Sequence, residues 1–293
     1  MVTRSRHYSP LRYPGGKTNI VTQLEELLDF NDIRGVDYAE PFAGGAGLAL
    51  SLLFDGYVSH IYLNDLDAGI FSFWSSILEE TDEFCRLIEN TPVTIDQWEI
   101  QKQILEKPDQ FTILELGFAI FYLNRTNRSG IIKGGVIGGK DQSGEYKLDC
   151  RFNKSELIRR IRLIALRKND IFLTRLDALE FISEVVNNCP RKCLTFLDPP
   201  YYLKGHQLYL NYYNHSHHLA LADIVQNSLR EPWIVTYDNV SEINEMYSDS
   251  SKLEYTVSYS AAKKCKGSEV MYLSSDIKLP MQQLFCETNS MVL

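Results

Sequence analysis

Leu194-Thr195-Phe196-Leu197-Asp198-Pro199-Pro200-Tyr201-Tyr202 opens as an uncharged strand and stops at an acid followed by two prolines. Proline supplies no ladder N–H, and Pro199 holds the residue before it in extended backbone. The Asp198 carboxylate and the Tyr201 ring are therefore presented at the carboxyl end of a strand, where open α/β sheets bind ligands. An acid, a proline carbonyl with no helix bond to make and a flat ring suit a planar amino group. They give two acceptors for its two N–H donors and a face for stacking. A strand-ending turn capped by Asp198 is the plainer reading of the same residues.

Outward from this stretch runs a strand–helix rhythm. Strands are expected at 36–39, 60–63, 171–174, 194–197, 233–236, 253–258 and 270–273, the last two as an antiparallel pair. Between the first strand and a helix at 48–54 lies Glu40-Pro41-Phe42-Ala43-Gly44-Gly45-Ala46-Gly47, the glycine turn of a nucleotide-binding crossover. The G-x-G-x-x-G spacing of dinucleotide enzymes is missing, which favours a different adenosine-containing ligand. The second strand ends in Asn64-Asp65-Leu66-Asp67, and an acid there can take two ribose hydroxyls. Leu11-Arg12-Tyr13-Pro14-Gly15-Gly16-Lys17 leads into an amphipathic helix at 18–30, without the spacing of a P-loop.

Residues 68–115 look helical, with Pro92 and Pro108 as breakers and Thr81, Thr94 and Asp109 as caps. No strand of the main sheet is expected between 68 and 170. Asn124-Arg125-Thr126-Asn127-Arg128-Ser129-Gly130 and the glycine-rich 134–140 read as a basic loop or β-ribbon that enters a DNA groove, or as a mobile surface hairpin. The formal net charge is −8, yet residues 120–170 carry twelve Lys and Arg against five Asp and Glu. A basic block inside an acidic chain is a phosphate footprint. The six cysteines lack paired spacing, and no metal is expected, the His215-Ser216-His217-His218 cluster reading as a capping or lining turn. No apolar run is long enough for a membrane span or a signal peptide, so a cytoplasmic protein is expected.

In this order the motifs resemble the Dam-type, alpha-group family of DNA adenine-N6 methyltransferases, over nearly the whole chain. The resemblance implies a Rossmann-like, seven-stranded methyltransferase sheet formed by 1–75 and 168–293. A mainly helical target-recognition domain with a β-ribbon is inserted at 76–167. It implies that Tyr13, Gly15, Gly16, Lys17, Glu40, Pro41, Phe42, Gly44, Gly45 and Gly47 line an S-adenosylmethionine pocket, with Asp198 at its edge. Asp65 would hold the cofactor ribose and Asp177 its adenine amino group. Asp198, Pro199, Pro200 and Tyr201 would receive the target adenine. Arg12, Arg125, Asn127, Arg128, Ser129, Lys133 and Lys140 would touch double-stranded DNA. At the hairpin the family has an aromatic residue and then asparagine where this chain has Arg128 and Ser129, so GATC recognition does not carry over.

The exocyclic nitrogen of adenine is a weak nucleophile because its lone pair is delocalised. Asp198 and the Pro199 carbonyl are expected to accept its two N–H bonds in a flipped-out base stacked on Tyr201. Positioning of this kind supplies roughly 7–11 kcal/mol without a strong base. The same tetrapeptide suits an amino methyltransferase acting on RNA or protein glutamine, and a catalytically silent DNA-binding relative would keep the fold. A nicotinamide oxidoreductase is disfavoured by the glycine spacing. Monomer and dimer stay equally open.

Overall fold

The computed structural model describes residues 7–12, 17–203, 213–230, 232–259 and 265–280, with backbone alone at 18–19, 256–259 and 265–267. A 3-10 turn at Lys17–Ile20 leads into α1 (Val21–Phe30), followed by β1 (Val36–Glu40), α2 (Gly47–Phe54), β2 (Val58–Asn64) and α3 (Ala68–Glu79). A helical block comes next: α4 (Thr81–Asn90), α5 (Ile95–Glu106), α6 (Ile113–Thr126) and α7 (Lys154–Ala165). The alternation then resumes with β3 (Ile171–Thr174), α8 (Ala178–Glu184), β4 (Cys193–Leu197), α9 (His215–Asn227) and β5 (Trp233–Asp238). The last described elements are α10 (Ser241–Met246), β6 (Ser251–Tyr259) and β7 (Cys265–Leu273).

All seven strands join one sheet in the order β3-β2-β1-β4-β5-β7-β6. The first five run parallel, and β7 lies antiparallel between β5 and β6. Strand β4 is buried along its whole length because helices cover both faces of the sheet. Its side chains alternate accordingly. Leu194 and Phe196 enter the core built with α1, α2 and α3, while Cys193 and Leu197 enter the core built with α8 and α9. The strand order reverses between β1 and β4, so the crevice outside their carboxyl ends is the natural ligand site.

The block between β2 and β3 adds no strand to the sheet, and its core is continuous with that of the sheet's first face. Helix α6 lies directly on α3 because glycines face each crossing. A Cβ at Gly117 would sit 2.6 Å from the Ser72 carbonyl oxygen, and one at Gly69 would sit 2.5 Å from the Ile120 side chain. Phe73 of α3 stacks on Phe121 of α6 with ring centroids 6.0 Å apart. Thr94 caps α5 as its sequence position predicts, but Thr81 lies inside α4 and Asp109 in a 3-10 turn. Thr112 and Glu115 cap α6 with a reciprocal box.

Of the loop or β-ribbon expected at 134–140, the loop forms, as a series of turns, and the β-ribbon is corrected. A single antiparallel bridge, Asn127 to Val136, is all the pairing among the described residues there. Gly138 and Gly139 have φ of +84° and +81°, which curls the chain where a ribbon needs extension. Gln142 then pins the curl: its Nε2 donates to the carbonyls of Ile137 (2.7 Å) and Gly139 (2.6 Å), and its Oε1 accepts from Leu148 N (2.9 Å). Among the described residues no helix is long and apolar enough to cross a membrane.

Candidate active site

Strand β4 ends at Leu197, and the prolines turn the chain outward over the crevice. Oδ1 of Asp198 accepts from Thr236 Oγ1 of β5 at 2.9 Å and lies 3.1 Å from Lys17 Nζ. Oδ2 meets no donor among the described residues, and the side chain keeps 22% of its surface open. Burial raises the Asp198 pKa; Lys17 opposes this and Glu269 adds to it. The turn beyond is fastened by β5, since Tyr202 N and Leu203 N donate to the Asp238 carboxylate at 2.9 and 3.1 Å. Acid and turn are thus both fixed by the neighbouring strand.

Lys17, expected among the cofactor residues, places its ammonium at Asp198. Besides Asp198, Nζ donates to Glu269 Oε2 (3.1 Å) and to the Tyr201 hydroxyl (3.3 Å). Burial opposes this charge, yet Asp198, Tyr255 and Glu269 hold the Lys17 pKa well above its ordinary value. The Tyr201 hydroxyl also donates to Glu269 Oε1, and the Tyr255 hydroxyl to Oε2 at 2.7 Å. Tyr201 is therefore a buried ring held by its hydroxyl. Tyr13, Gly15 and Gly16 lie outside the described residues.

The glycine turn after β1 is tied to the end of β2. Gly44 N donates to Asp65 Oδ2 (2.9 Å), its carbonyl accepts from Trp74 Nε1 (2.9 Å), and the Gly45 carbonyl accepts from Ser9 Oγ (2.5 Å). Gly44 and Ala46 take φ of +46° and +45°, which aims the turn into the start of α2 at Gly47. Glu40 caps that helix from the end of β1, its Oε1 accepting from Ala49 N (3.1 Å) and the Tyr38 hydroxyl (3.0 Å). Burial pushes Glu40 up to about 8. Burial, and then Asp67, push Asp65 up to about 7. Asn64 knits three connections together, donating to the carbonyls of Pro41 and Leu176 (3.0 Å each) and accepting from Leu176 N and Thr174 Oγ1 (2.8 Å each).

Phe42 reaches from the glycine turn to the edge of Tyr213, 5.7 Å between centroids. Asp177 is exposed at the end of β3, capping α8 through Leu179 N (2.9 Å), and its charge acts on Tyr213. The histidine cluster is a cap: Asn214 and His217 form a reciprocal box on α9, and buried His218 bonds Tyr237 OH at 2.9 Å. Burial takes His218 down to about 4. Among the described residues no group of three or more His, Cys, Asp or Glu is arranged to hold a metal ion.

The expected DNA contacts divide. Asn127 is 1% exposed, accepting from Trp98 Nε1 (2.7 Å) and donating to the carbonyls of Ile131 (3.0 Å) and Ile132 (2.9 Å), so its amide is engaged inside the protein. Arg125 is half-buried and donates to the carbonyls of Arg151 (2.7 Å) and Pro10 (3.5 Å). Lys140 is exposed but paired with Glu99 at 2.6 Å. Arg128 and Lys133 stay exposed, and Ser129 sits at φ +56° beside them. Arg12 is clamped to α6, its N–H donating to Asn124 Oδ1 and its carbonyl accepting from Asn124 Nδ2, both at 2.7 Å. Burial, then Arg12, Arg160 and Arg151, draw Arg125 down to about 9, still a cation at neutral pH. Arg12, Arg125 and Arg151 have no carboxylate partner among the described residues, so this cluster carries unbalanced positive charge.

Sequence reading missed Glu269, Tyr255, Thr236 and Gln142. Each is a lone polar residue in an apolar or turn context, and only the sheet register brings the first three together.

Residues 13–261 match the sequence profile described as D12 class N6 adenine-specific DNA methyltransferase. No curated protein matches the chain. Among solved structures it is similar to a candidate RNA methyltransferase, PH1948, from Pyrococcus horikoshii, at 11% identity and a TM-score of 0.42, covering 90% of this chain and 85% of that one. It is also similar to TrmN from Thermus thermophilus, at 12% identity and a TM-score of 0.37, covering 85% of this chain and 46% of that one. A third likeness is the SAM-dependent methyltransferase from Agrobacterium tumefaciens, at 10% identity and a TM-score of 0.38, covering 87% of this chain and 61% of that one.

Proposed function

The chain belongs to the D12 class N6 adenine-specific DNA methyltransferase family, and from that premise we propose that it methylates a flipped-out adenine of duplex DNA at a specific site. One observation carries the reading. Asp198 is immobilised through Oδ1 by Thr236 and Lys17 while Oδ2 is left open, at the strand-order reversal and beside the glycine turn. An anchored carboxylate with one uncommitted oxygen is what an amino group needs in order to dock.

The crevice suits S-adenosylmethionine. Glu40, Asp65 and Asp198 place three carboxyl groups around it, while the Lys17 ammonium is already shared between Asp198 and the buried Glu269. When bound, that cofactor supplies an electrophilic methyl group on a sulfonium centre. Asp65 and the Gly44–Gly47 turn would hold its ribose and methionine ends, and Phe42 with Tyr213 and Asp177 its adenine. Asp198 Oδ2 and the Pro199 carbonyl then accept the two N–H bonds of the target amino group. This concentrates the nitrogen lone pair on the side facing the donor, and the positioning supplies the bulk of the rate gain. Tyr201, fixed by its hydroxyl, presents a ring that cannot swing away from the base.

Duplex DNA meets the 76–167 block and the Ser9–Arg12 strap. The unbalanced guanidinium groups of Arg12, Arg125 and Arg151 suit backbone phosphate, and exposed Arg128 and Lys133 suit the groove. The test is incubation of the protein with isotopically labelled S-adenosylmethionine and duplex DNA, single-stranded DNA or RNA, followed by nucleoside mass spectrometry. Labelled N6-methyladenine from duplex DNA is the expected product. Label in RNA alone, or none from a protein that binds the cofactor, overturns the reading.

A further inference from the structure

Glu269 is 1% exposed and belongs to β7, where its backbone register faces Asp238 of β5 on one side and Tyr255 of β6 on the other. Among the described residues its carboxylate accepts from Lys17 Nζ, Tyr201 OH and Tyr255 OH, which come from three other chain segments. An ammonium has three N–H bonds, and those of Lys17 go to Asp198, Glu269 and Tyr201, which leaves none over. One cation is thus shared between two carboxylates, in a buried setting where a lone Lys–Asp pair would draw tight.

We propose that Glu269 is a positioning residue for methyl transfer, taking up half of the Lys17 ammonium and fixing the Tyr201 hydroxyl so that Asp198 stays anchored yet electron-rich at its open oxygen. This rests on the methyltransferase reading of the same crevice. With Lys17 bound to Asp198 alone, the carboxylate would surrender acceptor strength to the ammonium, and Oδ2 would hold the amino group less well. With Lys17 bound to Glu269 alone, Oδ1 would lose an anchor. Sharing satisfies both needs. Among the described residues, the charged and titratable groups facing Glu269 include Lys17 from the 3-10 turn, Asp198 and Tyr201 from the loop after β4, and Tyr255 from β6, with Asp238 as its register partner on β5.

The experiment compares Glu269→Gln and Tyr255→Phe with the wild-type protein in cofactor affinity, kcat and the pH dependence of kcat. Glu269→Gln removes a negative neighbour of Asp198 and returns Lys17 to it, so kcat is expected to fall roughly 10- to 100-fold. The acid limb of the profile then moves to lower pH, while the cofactor Kd changes less than about threefold. Tyr255→Phe removes one donor and almost no volume, leaving more charge on Glu269 to compete for Lys17. Its kcat falls a few fold and its acid limb moves the opposite way, to higher pH. Simple loss of packing would not shift the limb in opposite directions. If Glu269→Gln fails to fold, the Tyr255→Phe limb alone decides. Wild-type kcat with an unmoved limb, in either folded variant, overturns the role of Glu269. A wild-type protein that binds S-adenosylmethionine but methylates no adenine overturns the functional reading instead, so the two failures are distinguishable.

Discussion

The crevice between β1 and β4 and the segment 131–150 are both made of connections, but they are fastened by opposite means. In the crevice each loop is tied by a strand or strand-end side chain: Asn64 and Asp65 after β2, Thr236 and Asp238 on β5, Glu269 on β7. In 131–150 the ties are turn-local or come from single side chains of α5 and the end of α6: Gln142 and Lys147 bond the segment's own carbonyls, Asn127 holds the Ile131 and Ile132 carbonyls, and Glu99 holds Lys140. The register of a buried sheet fixes strand-end groups before anything binds, whereas the groups of 131–150 are held by turns and by single side chains, with no sheet register behind them. Chemistry that needs a held geometry belongs on the first, and a surface that accommodates DNA on the second.

The largest effect is expected where the sheet holds the reacting acid. Asp198→Ala should lower single-turnover methylation by roughly a thousandfold with cofactor affinity nearly unchanged, as when a preorganised electrostatic partner is removed. Gln142→Ala should instead leave kcat intact, raise KM for DNA and destabilise the fold by roughly 1–3 kcal/mol through unmade hydrogen bonds. A Gln142→Ala protein with a kcat defect as deep as that of Asp198→Ala would break the contrast between the two regions.

Next in size is a pair of neighbours at the end of α6. Asn127→Ala strands the Trp98 indole N–H and two carbonyls and should lower stability by roughly 2–3 kcal/mol. Arg128→Ala, one residue on and exposed, should stay within about 0.5 kcal/mol of wild type while weakening DNA binding. Urea denaturation beside DNA titration checks both, and the reverse pattern would show that the buried amide is the DNA-binding group after all.

That pair also shows how far the sequence could be read. Strand positions and the Asp198 motif are legible because a buried parallel strand needs a continuous apolar run, and a double proline must end it. The seven strands and their split around the helical block between β2 and β3 follow from that pattern. The ribbon at 134–140 does not form because glycines permit both extension and curling, and Gln142 makes the choice with a side chain that has no periodicity to betray it. Asn127 turns out buried because an exposed and a buried asparagine look alike until Trp98 is seen to need an acceptor. Glu269 stays hidden because its partners lie at 17, 201 and 255, joined only through strand register.

A smaller effect sharpens the basic side of the contrast. Arg151→Ala removes one of the unbalanced cations beside Arg125 and should weaken DNA binding several fold. With one phosphate fewer neutralised, the slope of log affinity against log salt becomes shallower by roughly 0.9. An unchanged slope would mean that this cluster braces the Ser9–Arg12 strap and does not meet phosphate.

The smallest expected signal is a proton. Glu40, raised from 4.5 to about 8, and Asp65, raised from 3.8 to about 7, hold protons in the folded protein that the unfolded chain has already released. Their contribution to stability is therefore greatest at acid pH and is lost as pH rises through about 7 to 8. A cationic cofactor reverses the preference, because its positive charge favours the ionised carboxylates. Binding near pH 7 should therefore release roughly one proton, mostly from Glu40, and near pH 9 almost none. Calorimetry of S-adenosylmethionine binding in buffers of differing ionisation enthalpy reads this directly. Glu40→Gln keeps an acceptor for Ala49 N and Tyr38 OH but has no proton to lose, so only the smaller share from Asp65 should remain. Proton uptake, or no release from the wild-type protein near pH 7, would mean that the carboxyl group capping α2 does not feel the ligand's charge. The strand-end ties of the crevice would then be structural alone on this side.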